Sequence, residues 1–398
     1  MCRVCPDETG PSCNSTDGRS RRWGWKLRPG WFGKTEIVTQ ISALLVNYFS
    51  ADLIARAVRS LGDQGLDIDV RVVDNSLDPV ESNYLRRVLP SFVHLKINEV
   101  NTGFGGGCNQ AYAEAKGEKI LLLNPDAYLL PGALLELDLA LQEEERVAAV
   151  GPRTFWDDQL QFLMPPSTFP SLVGHCARSL FCDHPLFLRW RSHYFRKFAF
   201  RYWSCERPMS VPALSGGHVL LKRSALEKVG GLFDERFFLY WEDSDLMQRL
   251  RAAGYDLRMI PAASAVHEYT HSPEKSRRIG EGWPTYYRKH LASHPVVRWL
   301  DRRQVTPRWS RHPVRIGLSA SRHDNGDLVF AVPWRWQNSW WMEVSVDPDF
   351  YPAIGYRGRG TTALLTMNLQ ERLAGQILHV RLSSPECSEQ GHYWQSEF

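Results

Sequence analysis

The sequence predicts an α/β protein with a mainly parallel sheet and flanking helices, followed by a small β-rich module. Two observations predict the first part: strand-like and helix-like segments alternate between residues 37 and 145, and polar residues follow several of the apolar strands. Such alternation is typical of βαβ units, whose strands are parallel. After residue 306, short strand-like runs are separated by Gly, Pro, Asn and Asp, which indicates antiparallel strands.

The elements of the alternating region follow one another without long gaps. The predicted strands are 37–48, 67–76, 92–98 and 119–124. Four helices are predicted between and after them: one that ends at Leu61, one at 79–89, one that follows Gly107 and one at 131–145. The last strand contains four consecutive apolar residues, Ile120 to Leu123, as expected of a buried strand. The sequence thus predicts a leader at 1–35, an α/β domain at 36–300 with an aromatic and basic insertion at 180–210, and a β-rich module at 306–398.

Composition excludes several classes of protein. The 398 residues carry 48 basic and 44 acidic side chains, a net charge of +4, which is too balanced to indicate nucleic-acid binding. No apolar run approaches the roughly 18 residues that span a bilayer, and the leader lacks the apolar core of a secretion signal. The eight scattered cysteines indicate reduced thiols. The sequence therefore predicts a cytoplasmic protein, and we expect no metal site at the lone Cys2/Cys5 pair.

Polar residues cluster where predicted strands end. Asn47-Tyr48, Asp74-Asn75-Ser76 and Asn124-Pro125-Asp126 each follow an apolar strand. In open parallel sheets, ligands bind outside the carboxyl ends of the strands. Pro125 fixes a turn at the end of the predicted strand 119–124, so we expect Asp126 to project into a crevice at this edge.

A second polar region covers residues 215–268. Gly216 and Gly217 precede a predicted strand, whereas Glu242 and Asp243 stand at the start of a predicted helix, where capping alone would explain one carboxylate. The aromatic residues before them favour a functional interpretation, because a carboxylate beside apolar rings is partly desolvated and becomes a better base. The rings are Phe237, Phe238, Tyr240 and Trp241.

Two further features suggest a ligand near the sheet edge. The glycine-rich loop 101–111 lacks the spacing of a dinucleotide or P-loop motif, but its bare backbone can approach a phosphate or a sugar closely. His267 follows a predicted strand at 256–260. A lone histidine is usually a satisfied side chain, but His267 and Asp126 together would suit Mn²⁺ or Mg²⁺.

Two aromatic-rich segments each allow two interpretations. Segment 180–210 interleaves aromatics with Arg and Lys, and fits either an amphipathic segment that seeks a membrane surface or a helical insertion that packs its rings inward. Four indoles near the C-terminus fit a sugar-stacking platform or, more commonly in a small β module, a core. They are Trp334, Trp336, Trp340 and Trp341.

The ordered set of motifs resembles the inverting family-2 glycosyltransferases of the GT-A fold, and within them the rhamnosyltransferase-like branch. The motifs are VNYFS, VVDNS, NTGFGGGCNQA, LLLNPDAYL, SGGHVLLKRSAL, GGLFDERFFLYWEDSDLMQRLRAAGY and VHE, and they extend over about Ile37 to His290. Their order is specific where each motif alone is not. The resemblance implies a Rossmann-like sheet and transfer of a sugar from a nucleotide-diphosphate donor.

The resemblance also implies roles for individual residues in donor binding. Asp74 would hydrogen-bond the pyrimidine base, and Asp126, at the family's DxD position, would bind Mn²⁺ or Mg²⁺ together with His267. Asn124 stands where an acid is usual, which lowers the expected affinity for the cation. The complete predicted donor-binding set is Asn47, Tyr48, Asp74, Asn75, Asn101, Gly103, Gly105, Asn109, Asn124 and Asp126.

For catalysis, the resemblance implies that Asp243 is the general base and that Glu242 orients Asp243 or the acceptor. The predicted acceptor-binding residues are Gly216, Gly217, Tyr240 and Trp241. The basic pair Arg288-Lys289 stands where contact with the diphosphate is expected. The implied donor is dTDP-L-rhamnose, although relatives with similar motifs use UDP-sugars.

The predicted partners are this nucleotide sugar and a glycan or lipid-linked glycan acceptor of cell-envelope polysaccharide synthesis, with peripheral contact at the inner face of the plasma membrane and no nucleic acid. The sequence does not specify an oligomeric state.

Two other functions stay open. One is a catalytically silent carbohydrate- or lipid-binding protein on the same scaffold. The other is a nucleotide-sugar hydrolase or nucleotidyltransferase, which would need a water or triphosphate pocket instead of an acceptor cleft.

Overall fold

The computed structural model describes residues 41–181, 184–270, 273–302, 316–373, 375–384 and 391–396. The predicted leader at 1–35 lies outside these residues. All the elements below belong to one compact unit of the chain.

The main sheet has nine strands in the order β3-β2-β1-β4-β8-β6-β9-β5, with β7 paired to β9. The strands are β1 Ile41–Asn47, β2 Ile68–Asp74, β3 His94–Ile97, β4 Lys119–Leu123, β5 Ala127–Leu129, β6 Val147–Phe155, β7 Met209–Ser210, β8 His218–Lys222 and β9 Asp256–His267. From the pairings, β1, β2, β3, β4, β6 and β9 point the same way, and β5, β7 and β8 run against them. The predicted, mainly parallel sheet is confirmed.

Helices lie on both faces of this sheet. The described helices up to Arg302 are α1 Ala51–Gly62, α2 Pro79–Val88, α3 Gly103–Glu114, α4 Ala133–Gln142, α5 Leu172–Phe181, α6 Pro185–Ser204, α7 Arg223–Lys228, α8 Glu242–Ala252, α9 Pro273–His290 and α10 Pro295–Arg302. In β4, Leu121 and Leu123 join the core under α1 and α4, whereas Ile120 and Leu122 join the core under α3 and α8. Burial on both faces explains why this strand is continuously apolar.

The ends of five strands meet at one edge of the sheet. The parallel strands β1, β2, β4, β6 and β9 all finish there, and β8 begins there because Leu123 pairs with His218. The short strand β5, which we did not predict, pairs Ala127 with His267 and so brings the end of β9 beside the Asn-Pro-Asp turn. The predicted functional residues therefore converge on one edge.

The C-terminal strands form a β-rich region, as predicted, but they are divided between two smaller sheets, and one pair, β10 with β17, is parallel. One has the order β10-β17-β16-β13-β14 and the other β11-β12-β15. The strands are β10 Ile316–Gly317, β11 Ala320–Arg322, β12 Leu328–Ala331, β13 Trp340–Ser345, β14 Ile354–Gly358, β15 Thr362–Leu365, β16 His379–Ser383 and β17 Gly391–Gln395, with a 3-10 helix Trp334–Trp336 and α11 Met367–Glu371. We call residues 316–396 the C-terminal sheets.

The indoles of this region form a core, not a platform. Trp336, Trp340 and Trp341 are buried, and only Trp334 of the four is exposed. Trp341 stacks on Phe200 and Trp203 of α6, with ring centroids 5.1 and 5.4 Å apart. The C-terminal half of α6 therefore packs its rings inward, which supports the insertion interpretation for that half of segment 180–210.

A buried ion cluster joins α6 to the C-terminal sheets. Arg196 Nε lies 2.8 Å from Glu343 Oε2, and Arg381 donates to both oxygens of the same carboxylate. Burial would raise the pKa of Glu343, but Arg381 and Arg196 lower it. Arg196 also donates to Ser383 Oγ at 2.5 Å.

Replacing Arg196 with methionine is expected to lower the free energy of unfolding by about 3 kcal/mol, because it removes one partner of a buried charge. Urea unfolding of this variant and of Arg189→Met, an exposed position on the same helix, measures the difference. Equal stability of the two variants would show that the cluster does not hold α6 in place.

Candidate active site

The converging strand ends border a cleft of about 1160 Å³. Tyr48, Asn75, Asn101 and Gly103 line it beside β1 and β2, and the turn Asn124–Asp126 lines its centre. The remaining predicted residues in its wall are Gly216, Gly217, Tyr240, Glu242, Asp243 and His267. Most of the predicted site residues therefore face one cleft, although they come from segments far apart in the sequence.

Asp126 and His267 form a pair at the centre of the cleft. Their Oδ1 and Nε2 atoms are 3.2 Å apart. Burial would raise the pKa of Asp126, but the hydrogen bond and charge of His267, with the charge of Lys275, lower it to about 2. Asp126 is thus ionised throughout the neutral range and is ready to bind a cation.

This pair fits a divalent cation that takes its other ligands from phosphate and water. Within the described residues there is no cluster of three or more His, Cys, Asp or Glu side chains that could enclose a metal. Mg²⁺ sites commonly use one or two protein ligands plus substrate phosphates. Asn124 Oδ1, buried and without a hydrogen-bond partner among the described residues, adds a free acceptor beside the pair.

The two glycines before β8 separate this pair from the predicted base. A Cβ on Gly216 would lie 2.7 Å from Asp243 Cβ, and a Cβ on Gly217 would lie 2.9 Å from Asn124 Nδ2. A side chain at either position would displace a polar group of the cleft. Glycine is therefore required for close approach of the Asp126–His267 pair, β8 and α8.

Asp243 is fixed by donors around its carboxylate. Gly216 N donates to Oδ2 at 3.2 Å, and Ser244 N donates to Oδ1 at 2.6 Å. Burial raises the pKa of Asp243 above its ordinary value, against the lowering effect of these hydrogen bonds. The result is an oriented carboxylate that is a stronger base than an exposed aspartate.

Its neighbour Glu242 has a different environment. The side chain is buried, and its Oε2 has no hydrogen-bond partner in the described part of the chain. Burial, and then the charge of Asp243, raise the pKa of Glu242 to about 8. At neutral pH, Glu242 therefore mostly holds its proton, and the negative charge of Asp243 contributes to this, which agrees with the predicted role of Asp243 as the base.

The start of α8 is unusually constrained. Tyr240 and Trp241, immediately before Glu242, have φ values of 67° and 75°, in the left-handed region that bulky residues rarely adopt. Trp241 Nε1 donates to Ile279 O at 2.7 Å, which anchors this backbone to α9. Such strain is concentrated at functional sites, and here the constrained backbone places Asp243 against Gly216.

The Glu242→Gln variant is expected to be more stable than wild type at alkaline pH, because it lacks a buried carboxyl group that must ionise there. The ordinary pKa of 4.5 rises to about 8 on folding, so the folded state holds its proton more tightly, and stability falls as pH rises between these values. We expect Tm values that match wild type near pH 5 but exceed it increasingly toward pH 8.5. If the difference in Tm between Glu242→Gln and wild type did not vary with pH, the raised pKa of Glu242 would be contradicted. Glu235→Gln, at an exposed position, is the control.

At the other end of the cleft, the loop before α3 is held against the loop before α8. Gly103 has a φ of 73°, and a Cβ there would lie 2.1 Å from Phe238 O, so only glycine fits. Asn75 Nδ2 donates to Gly103 O at 2.8 Å. These contacts leave Asn75, Asn101 and Tyr48 in the wall of the cleft beside the ends of β1 and β2.

Two predicted donor-binding residues lie outside this wall. Asp74 is fully buried and accepts hydrogen bonds from Ser76, Ser82 and Asn47. Asn47 is buried in the same network and also donates to Glu81 Oε1. In this structure both residues hold the segment after β2, and the contact of Asp74 with a pyrimidine base stays a prediction.

Three other predicted residues also have packing roles. Asn109 exchanges hydrogen bonds with the backbone of Phe233 at 2.9 and 3.0 Å, and Gly105 packs against Phe237 O. Trp241 packs on Trp283 and Tyr286 of α9. None of the three lines the cleft.

The basic groups of the cleft differ from those predicted. Lys289 pairs with Asp234 and Asp245, at 2.6 Å from each, and lines a separate pocket together with Arg288. Lys275 and Arg278, at the start of α9, line the main cleft instead. Neither residue was predicted, because their position in the cleft depends on how the chain folds after β9.

His218, also not predicted, lies in the cleft beside the Asp126–His267 pair. Its ring is 5.4 Å from that of His267, and burial lowers the pKa of His218 to about 3. Its Nδ1 is buried without a partner among the described residues. A neutral imidazole with an unused nitrogen therefore faces the same space as Asp126.

Comparisons with known proteins agree with this description. A family profile described as Glycosyl transferase family 2 matches residues 42–230, and one described as the N-terminal domain of galactosyltransferase matches residues 196–275. The chain is 30% identical over 242 residues to N-acetylglucosaminyl-diphospho-decaprenol L-rhamnosyltransferase of Mycobacterium tuberculosis strain H37Rv, which covers 58% of this chain and 73% of that relative. It is 35% identical over 91 residues to Rhamnosyltransferase WbbL of Escherichia coli K12, which covers 23% of this chain and 31% of that protein.

The chain is also similar to solved structures. Mannosyltransferase PcManGT from Pyrobaculum calidifontis, in complex with GDP-Man and Mn²⁺, aligns with a TM-score of 0.43 and 18% identity over 63% of each chain. GalNAc-T7 with UDP, GalNAc and Mn²⁺ aligns with a TM-score of 0.42 and 13% identity, over 58% of this chain and 44% of that one.

The protein is a glycosyltransferase. More specifically, the chain belongs to glycosyl transferase family 2, as the match to most of the length of the mycobacterial relative shows. The predicted family and enzyme class are confirmed. No helix in the described ranges is both long and apolar enough to cross a bilayer.

Proposed function

We propose that the protein transfers L-rhamnose from dTDP-L-rhamnose to a lipid-linked glycan, with inversion at the anomeric carbon. The observation that carries this proposal is the position of Asp243. Its oriented carboxylate shares one cleft with the Asp126–His267 pair, and the bare Gly216–Gly217 backbone lies between them. This spacing suits a sugar held between a general base and a bound diphosphate.

In the proposed reaction, the acceptor hydroxyl loses its proton to Asp243 as its oxygen bonds to the anomeric carbon. The bond from that carbon to the diphosphate oxygen breaks, and its electron pair leaves with the diphosphate. Asp126 and His267 would hold Mn²⁺ or Mg²⁺, whose charge stabilises the leaving diphosphate when the cation is bound. Lys275 and Arg278 add positive charge to the same wall. Attack and departure on opposite sides give inversion in one step.

The choice of substrates rests on the relatives. Two similar proteins are named as rhamnosyltransferases, and the name of one specifies N-acetylglucosaminyl-diphospho-decaprenol. The alternative of a silent binding protein drew on a platform of four indoles, and three of those are buried. A base and a cation-binding pair in one cleft favour transfer.

Thermal shift with a panel of nucleotide sugars, each with and without Mn²⁺, tests the donor. A ligand that binds only the folded state raises its melting temperature by mass action. We expect dTDP-L-rhamnose with Mn²⁺ to give the largest shift. A panel in which no nucleotide sugar raises the melting temperature would overturn the proposal, and a larger shift with a UDP-sugar would reassign the donor.

For the membrane contact, we propose that the surface formed by α5 and the N-terminal half of α6 binds an anionic bilayer. Trp190 stacks between Phe187 and Tyr194, with centroids 5.9 Å from each. The large apolar residues exposed on these helices are Val173, Leu180, Phe181, Leu186, Trp190 and Tyr194. The two helices contain no Asp or Glu, and exposed Arg178 and Arg189 complement anionic headgroups.

Flotation with vesicles of phosphatidylcholine and phosphatidylglycerol measures this contact. Wild-type protein is expected to float with the vesicles at low salt and less at high salt, and Trp190→Glu to reduce the bound fraction several-fold. Trp334→Glu, at an exposed indole of the C-terminal sheets, is the matched control. If wild-type protein stays in the bottom fraction at low salt, the membrane contact is wrong.

A further inference from the structure

We propose that the C-terminal sheets supply one wall of the acceptor site and that Tyr351 binds a pyranose ring of the acceptor. This inference rests on the proposed function, because it assigns the half of the cleft that the donor does not occupy. The C-terminal sheets lie beyond residues 42–230, the range matched by the glycosyl transferase family 2 profile.

The cleft extends onto the C-terminal sheets. Tyr351 and Pro352, between β13 and β14, line the same cleft as Asp243 and Asp126, and so does Arg372, which follows α11. Its volume of about 1160 Å³ exceeds the ~300–1,000 Å³ typical of a site for one small ligand. There is room for a second ligand beside a nucleotide sugar.

The position of this wall follows from the order of strands. The nucleotide half of the cleft lies at the ends of β1 and β2, toward one side of the sheet. Leu163, in the segment after β6 on the other side, exchanges backbone hydrogen bonds of 2.7 and 3.0 Å with Gly355 of β14. The C-terminal sheets are therefore attached at the β6 side of the cleft, across the Asp126 turn and the Gly216–Gly217 pair from the nucleotide half.

This wall is held rigidly. Trp203 Nε1 of α6 donates to Met164 O at 2.9 Å, and Trp156 Nε1 donates to Tyr269 O at 2.7 Å. Trp156 and Phe162 belong to the same buried cluster as the C-terminal strands. With the Arg196–Glu343 pair, these contacts fix the C-terminal sheets relative to the strand ends, as a preformed binding site requires.

Tyr351 has the chemistry of a sugar-binding residue. Phe195 packs edge-on against its ring with centroids 5.0 Å apart, and the Arg191 guanidinium lies 4.6 Å from its centroid. A large ring fixed by two neighbours loses little conformational entropy on binding, and the part of the ring that Arg191 and Phe195 leave uncovered lies in the wall of the cleft, where it can contact a pyranose. Tyr202 of α6 adds a second aromatic ring to the same region of the wall.

The test uses dTDP-L-rhamnose as donor and a short-chain prenyl N-acetylglucosaminyl diphosphate as acceptor. For Tyr351→Ala we expect the acceptor KM to rise at least about tenfold, which is the scale expected for losing one stacked ring, with the donor KM and acceptor-free donor hydrolysis unchanged. Tyr351→Phe keeps the ring and should stay near wild type, while Tyr351→Leu keeps apolar volume without the ring and should behave like alanine. Trp334→Ala is the control on the C-terminal sheets.

An unchanged acceptor KM in folded Tyr351→Leu would overturn the inference, and so would an equal rise in the donor KM. If wild-type protein transfers no sugar from this donor to this acceptor, the proposed function is contradicted for this pair of substrates. Calorimetric binding of the same acceptor to wild type and to Tyr351→Leu then decides the inference independently: weaker binding to the variant supports it, and equal binding contradicts it.

Discussion

Replacing Asp243 with asparagine is expected to lower kcat about 10³-fold, within the range that general-base catalysis contributes. Asparagine keeps the size of the side chain and an acceptor for Ser244 N, but it cannot take a proton from the acceptor hydroxyl. Donor affinity should change little, because the diphosphate would be held through the cation at Asp126 and His267. Steady-state transfer and calorimetric donor binding measure the two effects separately.

The control for this variant is Asp158→Asn, which removes an exposed carboxylate outside the cleft lining and should leave kcat unchanged. Because burial raises the pKa of Asp243, the acid limb of the wild-type pH profile should lie above the range of an ordinary aspartate. Retention of more than about a tenth of wild-type kcat by Asp243→Asn would remove this residue from the role of base.

The second large effect is expected for Asp126→Ala, which should lower kcat/KM about 10³-fold, or about 4 kcal/mol of transition-state stabilisation. The carboxylate is the only anionic member of the proposed cation pair, and its low pKa keeps it charged at working pH. Calorimetry should show that Mn²⁺ tightens donor binding to wild type but not to the variant.

His267→Ala should give a smaller loss, because the charged ligand remains. Asp126→Asn separates charge from shape: it should resemble Asp126→Ala if the carboxylate binds the cation, and wild type if the side chain serves only to hold the turn. Mn²⁺-dependent donor binding that survives in Asp126→Ala would contradict the proposed cation site.

Local patterns in the sequence were sufficient to predict strands β1 to β4 of the main sheet and the turn at the centre of the cleft, but not β5, β6 or β7. The apolar residues Ile120 to Leu123 indicated a buried strand, and the Asn-Pro-Asp turn placed Asp126 at its end, where the structure has it. The glycines at 216–217 and the helix start at Glu242 were likewise visible, because close approach and helix ends both leave residue-type signatures.

Features that depend on long-range contacts could not be predicted in this way. The three residues of β5 are too few for a periodic pattern, and their partner, the end of β9, is about 140 residues away. Asp74 is a polar residue at a strand end, as is typical of ligand-binding residues, but it is buried and accepts hydrogen bonds from Ser82 and Asn47. The contribution of Tyr351 to the cleft depends on how the C-terminal sheets dock on α6.

The most direct test of the proposed mechanism is NMR of the product formed from dTDP-L-rhamnose and an N-acetylglucosaminyl diphosphate lipid, with dTDP release measured in the same reaction. The mechanism predicts one glycosidic bond for each dTDP released and an anomeric configuration opposite to that of the donor. Retained configuration, or dTDP release that yields only free rhamnose, would contradict direct displacement by an acceptor activated at Asp243.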